Sequence, residues 1–211
     1  MPPTIAALAA DPSPLTRTVT ARGIPFLVRA LLPEDRAALT GFLTGLSATS
    51  RRYWHGDTDP ADAAADWIDA IGRYDKLRLV AHCPDQLTET TAHPPDRPAD
   101  LAGVIDLSFC LPDGYEITRY AGYGITLDPA RTVRFGPCVA DRWQGHGLAA
   151  ALLPAAYAAA RLLGCDRAVL FGGVQATNHR ARRFYQRHGF TEAGTFTDEH
   201  GDGVDMLLDL P

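Results

Sequence analysis

Lysine occurs once in the chain, at Lys76, so arginine carries nearly all the positive charge; the balance is acidic, with a net charge of −5 and a pI near 5.7. That argues against a dedicated nucleic-acid binder, which presents a basic face. The four cysteines, Cys83, Cys110, Cys138 and Cys165, are widely spaced and form no Cys-x-x-Cys pair. The usual zinc patterns and a disulfide framework are therefore not expected; buried thiols in a reducing compartment are, and no metal is predicted. The opening MPPTIAALAADPSP has neither a basic start nor a sufficient apolar run, so no signal peptide or membrane anchor is read there. The expected location is the cytoplasm, with no membrane partner.

What is present suits a globular domain: 46% of the residues are apolar and 21% charged, enough for one well-buried core. Residues 1–15, rich in Pro and Ala, read as a flexible arm ahead of a single domain over 16–211. TVTA and FLVRAL read as strands joined by a turn at Arg22, Gly23, Ile24 and Pro25. PEDRAALTGFLTGL sets Leu39, Phe42, Leu43 and Leu46 at helical spacing behind Pro33, and Asp59-Pro60 opens a second helix carrying Trp67, Ile68 and Ile71 inward. LRLVAHC and LAGVIDLSF are strand-like, separated by a proline-rich loop, and residues 110–131 carry no clear signal. Next come a strand at TVRFGPCVA, a helix over 148–163 ended by Gly164 and a strand at RAVLFGGV. A helix capped by Asn178 and two closing strands, 191–196 and 204–210, complete the chain.

The stretch DRWQGHGLAAALL puts Gly145 and Gly147 at the mouth of a helix. A strand passing through such a turn into a helix aims unpaired N–H groups along a positive dipole, a ready phosphate site. The P-loop string is absent. The dinucleotide fingerprint fits Gly145, Gly147 and Ala150, with Asp166 about twenty residues on, but Asp166 precedes its strand instead of following it. A third reading takes Gln144-x-x-Gly147-x-Ala149, in which small residues let a diphosphate approach the main chain.

This string resembles the acyl-CoA-binding motif of the GNAT acetyltransferase superfamily. NHRARRFYQRHGF is similar to the later N-x-x-A-x-x-(aromatic)-Y-x-x-x-G-F segment of that family, with Asn178, Ala181 and Tyr185 spaced to share one helix face. The front, residues 17–57, resembles the entry strands and first helix of protein-lysine acetyltransferase-like members. The implied fold is mixed α/β (α+β), with a splayed, mostly antiparallel sheet flanked by helices. The implied co-substrate is acetyl-CoA, and the implied partner an amine of a small molecule or a protein, with room for a homodimer. The cofactor-binding residues carried over are Cys138, Val139, Gln144, Gly145, His146, Gly147, Leu148, Ala149, Asn178, Ala181 and Tyr185. His146 either meets phosphate as a cation or points to water. Arg180, Arg182, Arg183 and Arg187 are candidates for the ribose phosphate or solvated charges.

The implied reaction, attack of a neutral amine on a thioester, needs a stabilised oxyanion and a protonated or hydrogen-bonded leaving thiolate. Tyr185 is the catalytic candidate for the last role; full transfer from a phenol to a thiolate is uphill by about 2 kcal/mol at reference pKa values, so a late-completing hydrogen-bond donor is expected. Related domains often carry Glu where this chain has Arg134, which cannot act as a base. Deprotonating a lysine-like amine at neutral pH costs about 4.6 kcal/mol, against about 1 for an α-amine, so the lost carboxylate matters most for lysine-like acceptors. Asp106, Glu116 and His55 are possible substitutes. Pro137 has no N–H to offer the thioester carbonyl, leaving that role to Val139. An acyl-CoA-binding sensor without turnover and a nucleotide-cofactor oxidoreductase are the rival readings.

Overall fold

The computed structural model describes residues 2–54, 58–73, 75–83, 100–109, 111, 115–170, 172–198 and 201–211. Where the sequence reads as a flexible arm, Thr4 caps a short helix, α1 (Ile5–Ala10), through its hydroxyl, which accepts the Ala7 N–H at 3.1 Å. Ile5, Leu8 and Leu15 are buried, which is what holds a segment this short. Arg22 and Gly23 alone form the next turn, with φ of 49° and 82°. Two left-handed residues match the twist of a tight hairpin, so Ile24 and Pro25 belong to the strand β2 (Ile24–Ala30) that pairs with β1 (Arg17–Ala21).

A 3-10 turn over Pro33–Asp35 leads into α2 (Arg36–Thr44). A helix with no counterpart in the sequence reading, α3 (Ala48–Trp54), starts after Ser47, whose hydroxyl accepts the Ser50 N–H at 3.2 Å. α4 (Pro60–Asp69) opens at Asp59, whose carboxylate accepts from Ala61 and Asp62. β3 (Lys76–His82) and β4 (Leu101–Ser108) follow; the expected loop between them, 84–99, lies outside the described residues. The stretch without a clear signal contains α5 (Tyr115–Gly122). β5 (Thr132–Val139) precedes α6 (Leu148–Leu162), which contains Pro154 and ends near Gly164 at φ 92°. The remainder is β6 (Arg167–Leu170), β7 (Val174–Gln175), α7 (His179–Arg187), β8 (Thr191–Asp198) and β9 (Gly201–Asp209).

The chain forms two compact units. In the unit made of residues 3–106 and 137–156, β1–β2 and β2–β3 pair antiparallel, followed in order by β4. Its core gathers Leu39, Phe42, Leu43 and Leu46 of the α2 region with Ala63, Ala64, Val80 and Val104, and Trp67, Ile68 and Ile71 pack against it. Burying each large aliphatic or aromatic side chain there contributes about 1.5–3 kcal/mol.

In the unit made of residues 1–2, 107–136 and 157–211, β5 runs parallel to β6, and β6 antiparallel to β9. β9 pairs antiparallel with β7 and β8 as well. A mixed α/β architecture with a mostly antiparallel sheet and flanking helices results, and the single parallel pair among these pairings is not the doubly wound sheet a dinucleotide-binding domain requires. Asp166, the acid of that fingerprint, is half-exposed and paired with Arg131. No helix among the described residues is long and apolar enough to cross a membrane.

Candidate active site

β5 delivers the chain through a short 3-10 turn, Asp141–Trp143, to the glycines. Trp143 packs edge-to-face on Phe26 with ring centroids 5.1 Å apart, anchoring the turn to β2. Gly145 and Gly147 take φ of 77° and 82°, a region in which a side chain is strained. A Cβ built on Gly147 meets nothing within 4 Å, and residues 145–147 are exposed. Among the described residues, the Gly145 and Gly147 N–H groups have no backbone partner, whereas the His146 N–H is turned inward onto the Trp143 carbonyl at 3.3 Å. Leu148 is buried and seats the start of α6. This geometry fits a diphosphate: open space, an exposed main chain and the first turn of a fifteen-residue helix. The His146 side chain lies with Nδ1 3.0 Å from the Gln144 carbonyl oxygen.

The Gln144 carboxamide faces the opposite way. Its Nε2 donates to Ser50 Oγ at 3.0 Å and to the Val139 carbonyl at 3.2 Å, with Asp141 Oδ1 at 3.4 Å. Asp141 in turn accepts from the Ser47 N–H at 2.8 Å, the Ser47 hydroxyl at 2.9 Å and the Ser50 hydroxyl at 2.8 Å. Burial alone would raise the Asp141 carboxyl; these hydrogen bonds more than offset it and hold the group below its ordinary value. Cys138 is buried, and desolvation, reinforced by the Asp141 charge, pushes its thiol far up, so it is a packing residue and not a nucleophile.

The second predicted segment is α7, in the other unit. Asn178 is its N-cap, with Oδ1 accepting the Ala181 N–H at 3.1 Å. Tyr185 is buried and its ring lies among Phe184, Phe190 and Phe135, at centroid distances of 5.3, 5.2 and 6.5 Å. Of the arginines offered for the ribose phosphate, Arg182 is taken by Glu192 at 2.7 Å.

Arg134, at the strand position where related domains often carry Glu, is ion-paired to Glu116 Oε2 at 3.3 Å, and both side chains are largely enclosed. Glu116 Oε1 accepts the Gly172 N–H at 3.1 Å. A carboxylate therefore does stand beside this strand position, supplied by α5. Asp106 instead faces two cations, Arg78 Nη2 at 3.5 Å and Lys76 Nζ at 4.0 Å; His55 lies outside the described residues. Neither α5 nor the Asp141 network was read from the sequence. The spacing of Ile117, Tyr120 and Tyr123 and the Ser47 cap are the signals that could have found them.

Fold and turn together define a mixed α/β domain with an exposed, glycine-rich start to one of its helices. The acetyltransferase (GNAT) family model matches residues 82–190, just over half of the chain and inclusive of both motifs. The chain belongs to this family. Its fold is similar to the GNAT domain of S. lividans PAT, with a TM-score of 0.70 and 22% identity over 94% of this chain and 99% of that one. It is also similar to AAC(6')-Ib in complex with ribostamycin and coenzyme A, with a TM-score of 0.59, 20% identity, and coverage of 87% and 93%. A spermidine N-acetyltransferase chimera from Vibrio cholerae and hSSAT gives 0.61, 19%, 88% and 95%. No curated protein matches the sequence.

Proposed function

We propose that the chain is an acetyl-CoA-dependent N-acetyltransferase that moves an acetyl group to an amine, of a small molecule or a protein, by direct attack of the nitrogen on the thioester. The observation that carries this reading is the Gly145–Gly147 turn, with its left-handed glycines, exposed backbone and open space at the mouth of α6. Family membership supports it, as do similar folds solved with acetyl-CoA or coenzyme A. Neighbouring folds that belong to an aminoglycoside and a spermidine acetyltransferase support an amine acceptor.

The N–H groups of Gly145 and Gly147 and those opening α6 hold the diphosphate, each charge-assisted hydrogen bond contributing about 1.5–3 kcal/mol. Asn178 and Ala181 line the cofactor arm. Tyr185 donates a hydrogen bond to the departing sulfur, and the Val139 N–H serves the thioester carbonyl in place of Pro137. Glu116, set beside Arg134, accepts the amine proton directly or through water. A non-turnover acyl-CoA sensor is the second reading, favoured by Arg134 and Pro137 at positions where the family pattern has groups that act on the acyl centre.

Release of free thiol from acetyl-CoA, measured over a panel of polyamines, aminoglycosides and lysine peptides, separates the two. Amine-dependent release that falls about 100-fold in Tyr185→Phe is the expected result. A protein that binds acetyl-CoA yet releases no thiol with any amine is the sensor.

A further inference from the structure

Gln144 belongs to the motif read as diphosphate-binding, yet its side chain does not face the exposed side of the turn. The Val139 carbonyl at 3.2 Å can only accept, and the Asp141 carboxylate oxygen lies 3.4 Å from the same atom, so that end of the carboxamide is the NH2 group, whose two hydrogens go to Val139 and Ser50. The Ser50 hydroxyl then completes a consistent circuit: it accepts from Gln144 at 3.0 Å and donates to Asp141 at 2.8 Å. Ser47 closes it, giving Asp141 both its N–H and its hydroxyl while capping α3.

The circuit joins two pieces of chain far apart in sequence: the segment from the end of β5 at Val139 through Asp141 to Gln144 at the glycine turn, and the start of α3 at Ser47 and Ser50. It also places donors around the one carboxylate immediately before the turn. The donors from Ser47 and Ser50 keep Asp141 ionised and fix its carboxylate on the α3 side of the chain.

We propose that Gln144, Asp141 and Ser50 are positioning residues that couple the docking of α3 to the geometry of the cofactor turn, so that acetyl-CoA binding and α3 order reinforce each other. The proposal rests on the reading of the turn as the acetyl-CoA site. Coupling of this kind is reciprocal: a ligand that fixes the Gln144–Gly147 backbone fixes α3, and loosening α3 weakens the ligand.

The test uses the full chain with coenzyme A as probe, combining calorimetry with amide hydrogen exchange over residues 48–54. In the wild type, saturating coenzyme A should slow exchange in α3. Gln144→Ala and Ser50→Ala, which each remove at least one hydrogen bond, should weaken binding by about 3- to 10-fold and abolish the ligand-dependent slowing even at saturation. Ser50→Thr, which keeps the hydroxyl, should restore both. A thermal melt confirms that each variant is folded, and the difference between exchange with and without ligand separates coupling from a merely less stable α3. Wild-type binding with no change in α3 exchange, or full affinity and full slowing in Gln144→Ala, overturns the coupling and leaves the acetyl-CoA reading standing. If the wild type binds no coenzyme A, the reading itself falls and the coupling with it.

Discussion

Asp35 joins β2 to the turn before α2. Arg29 reaches it with two hydrogen bonds of 2.6 and 2.8 Å, and the Leu32 N–H donates to it at 2.9 Å. Burial pushes this carboxyl up, but the Arg29 and Leu32 hydrogen bonds and the Arg29 and His82 charges more than offset it, leaving it below its ordinary value. The folded pKa is thus below the unfolded one, near 3.9. The stabilisation is present in full above that value and is lost as pH falls through the folded one. Asp35→Asn should lower stability by about 1–3 kcal/mol at neutral pH and flatten the acid limb of the stability curve. Urea midpoints measured from about pH 7 down to pH 3 check this, and parallel curves for the two proteins would contradict it.

At the scale of elements, α5 is the clearest case of close fit. Arg119 pairs with the fully buried Asp205, making a 2.6 Å bond from Nη2, and lies over the Phe196 ring at 3.9 Å. Tyr120 OH donates to the Met206 carbonyl at 3.0 Å, and Tyr123 OH reaches Asp205 and the Thr195 carbonyl, each at 3.1 Å. The Tyr123 ring lies against Gly194, where an added Cβ would stand 2.3 Å from it. With the ring pinned by its hydroxyl, Gly194→Ala should cost about 1–3 kcal/mol through overpacking, read as a lowered melting temperature; an unchanged melt would show that the ring can move aside.

Elements with strong periodicity or caps were legible in the sequence. The α2 stripe, the Asp59 and Asn178 caps, the Gly164 stop and most of the hydrophobic strands stand where the residues place them; RAVLFGGV, read as one strand, instead supplies β6, which ends at Leu170, and the first residue of the separate β7. α1, α3 and α5 were not, because six to eight residues hold too few periodic positions to stand out, and each owes its stability to tertiary partners. The site divides the same way. The glycine turn announces itself through residues that only a special backbone needs. The Glu116–Arg134 pair and the Asp141 circuit join residues 18 or more positions apart, and no local pattern reports such contacts.

For the molecule as a whole, one bound ligand would act on stability by mass action, adding about 2.7 kcal/mol at a hundredfold excess over its dissociation constant. The family match begins at residue 82, so the hairpin β1–β2, the helices α1–α4 and the α3 half of the Asp141 circuit lie outside it. The similar solved folds nevertheless cover 87–94% of this chain, which makes that front portion part of the common architecture. The acidic net charge of −5 opposes a polyanionic ligand at long range, so the proposed function requires attraction from short-range donors, with modest dependence on salt.

The most direct measurement is a titration of the isotope-labelled protein with acetyl-CoA, following the backbone amide resonances of Gly145, Gly147, Leu148 and Ala149. A diphosphate held by these groups should shift them together and saturably, with the Tyr185 ring signals responding at the same ligand concentrations. Amides that stay put while acetyl-CoA binds elsewhere, or a spectrum untouched at millimolar ligand, would contradict it.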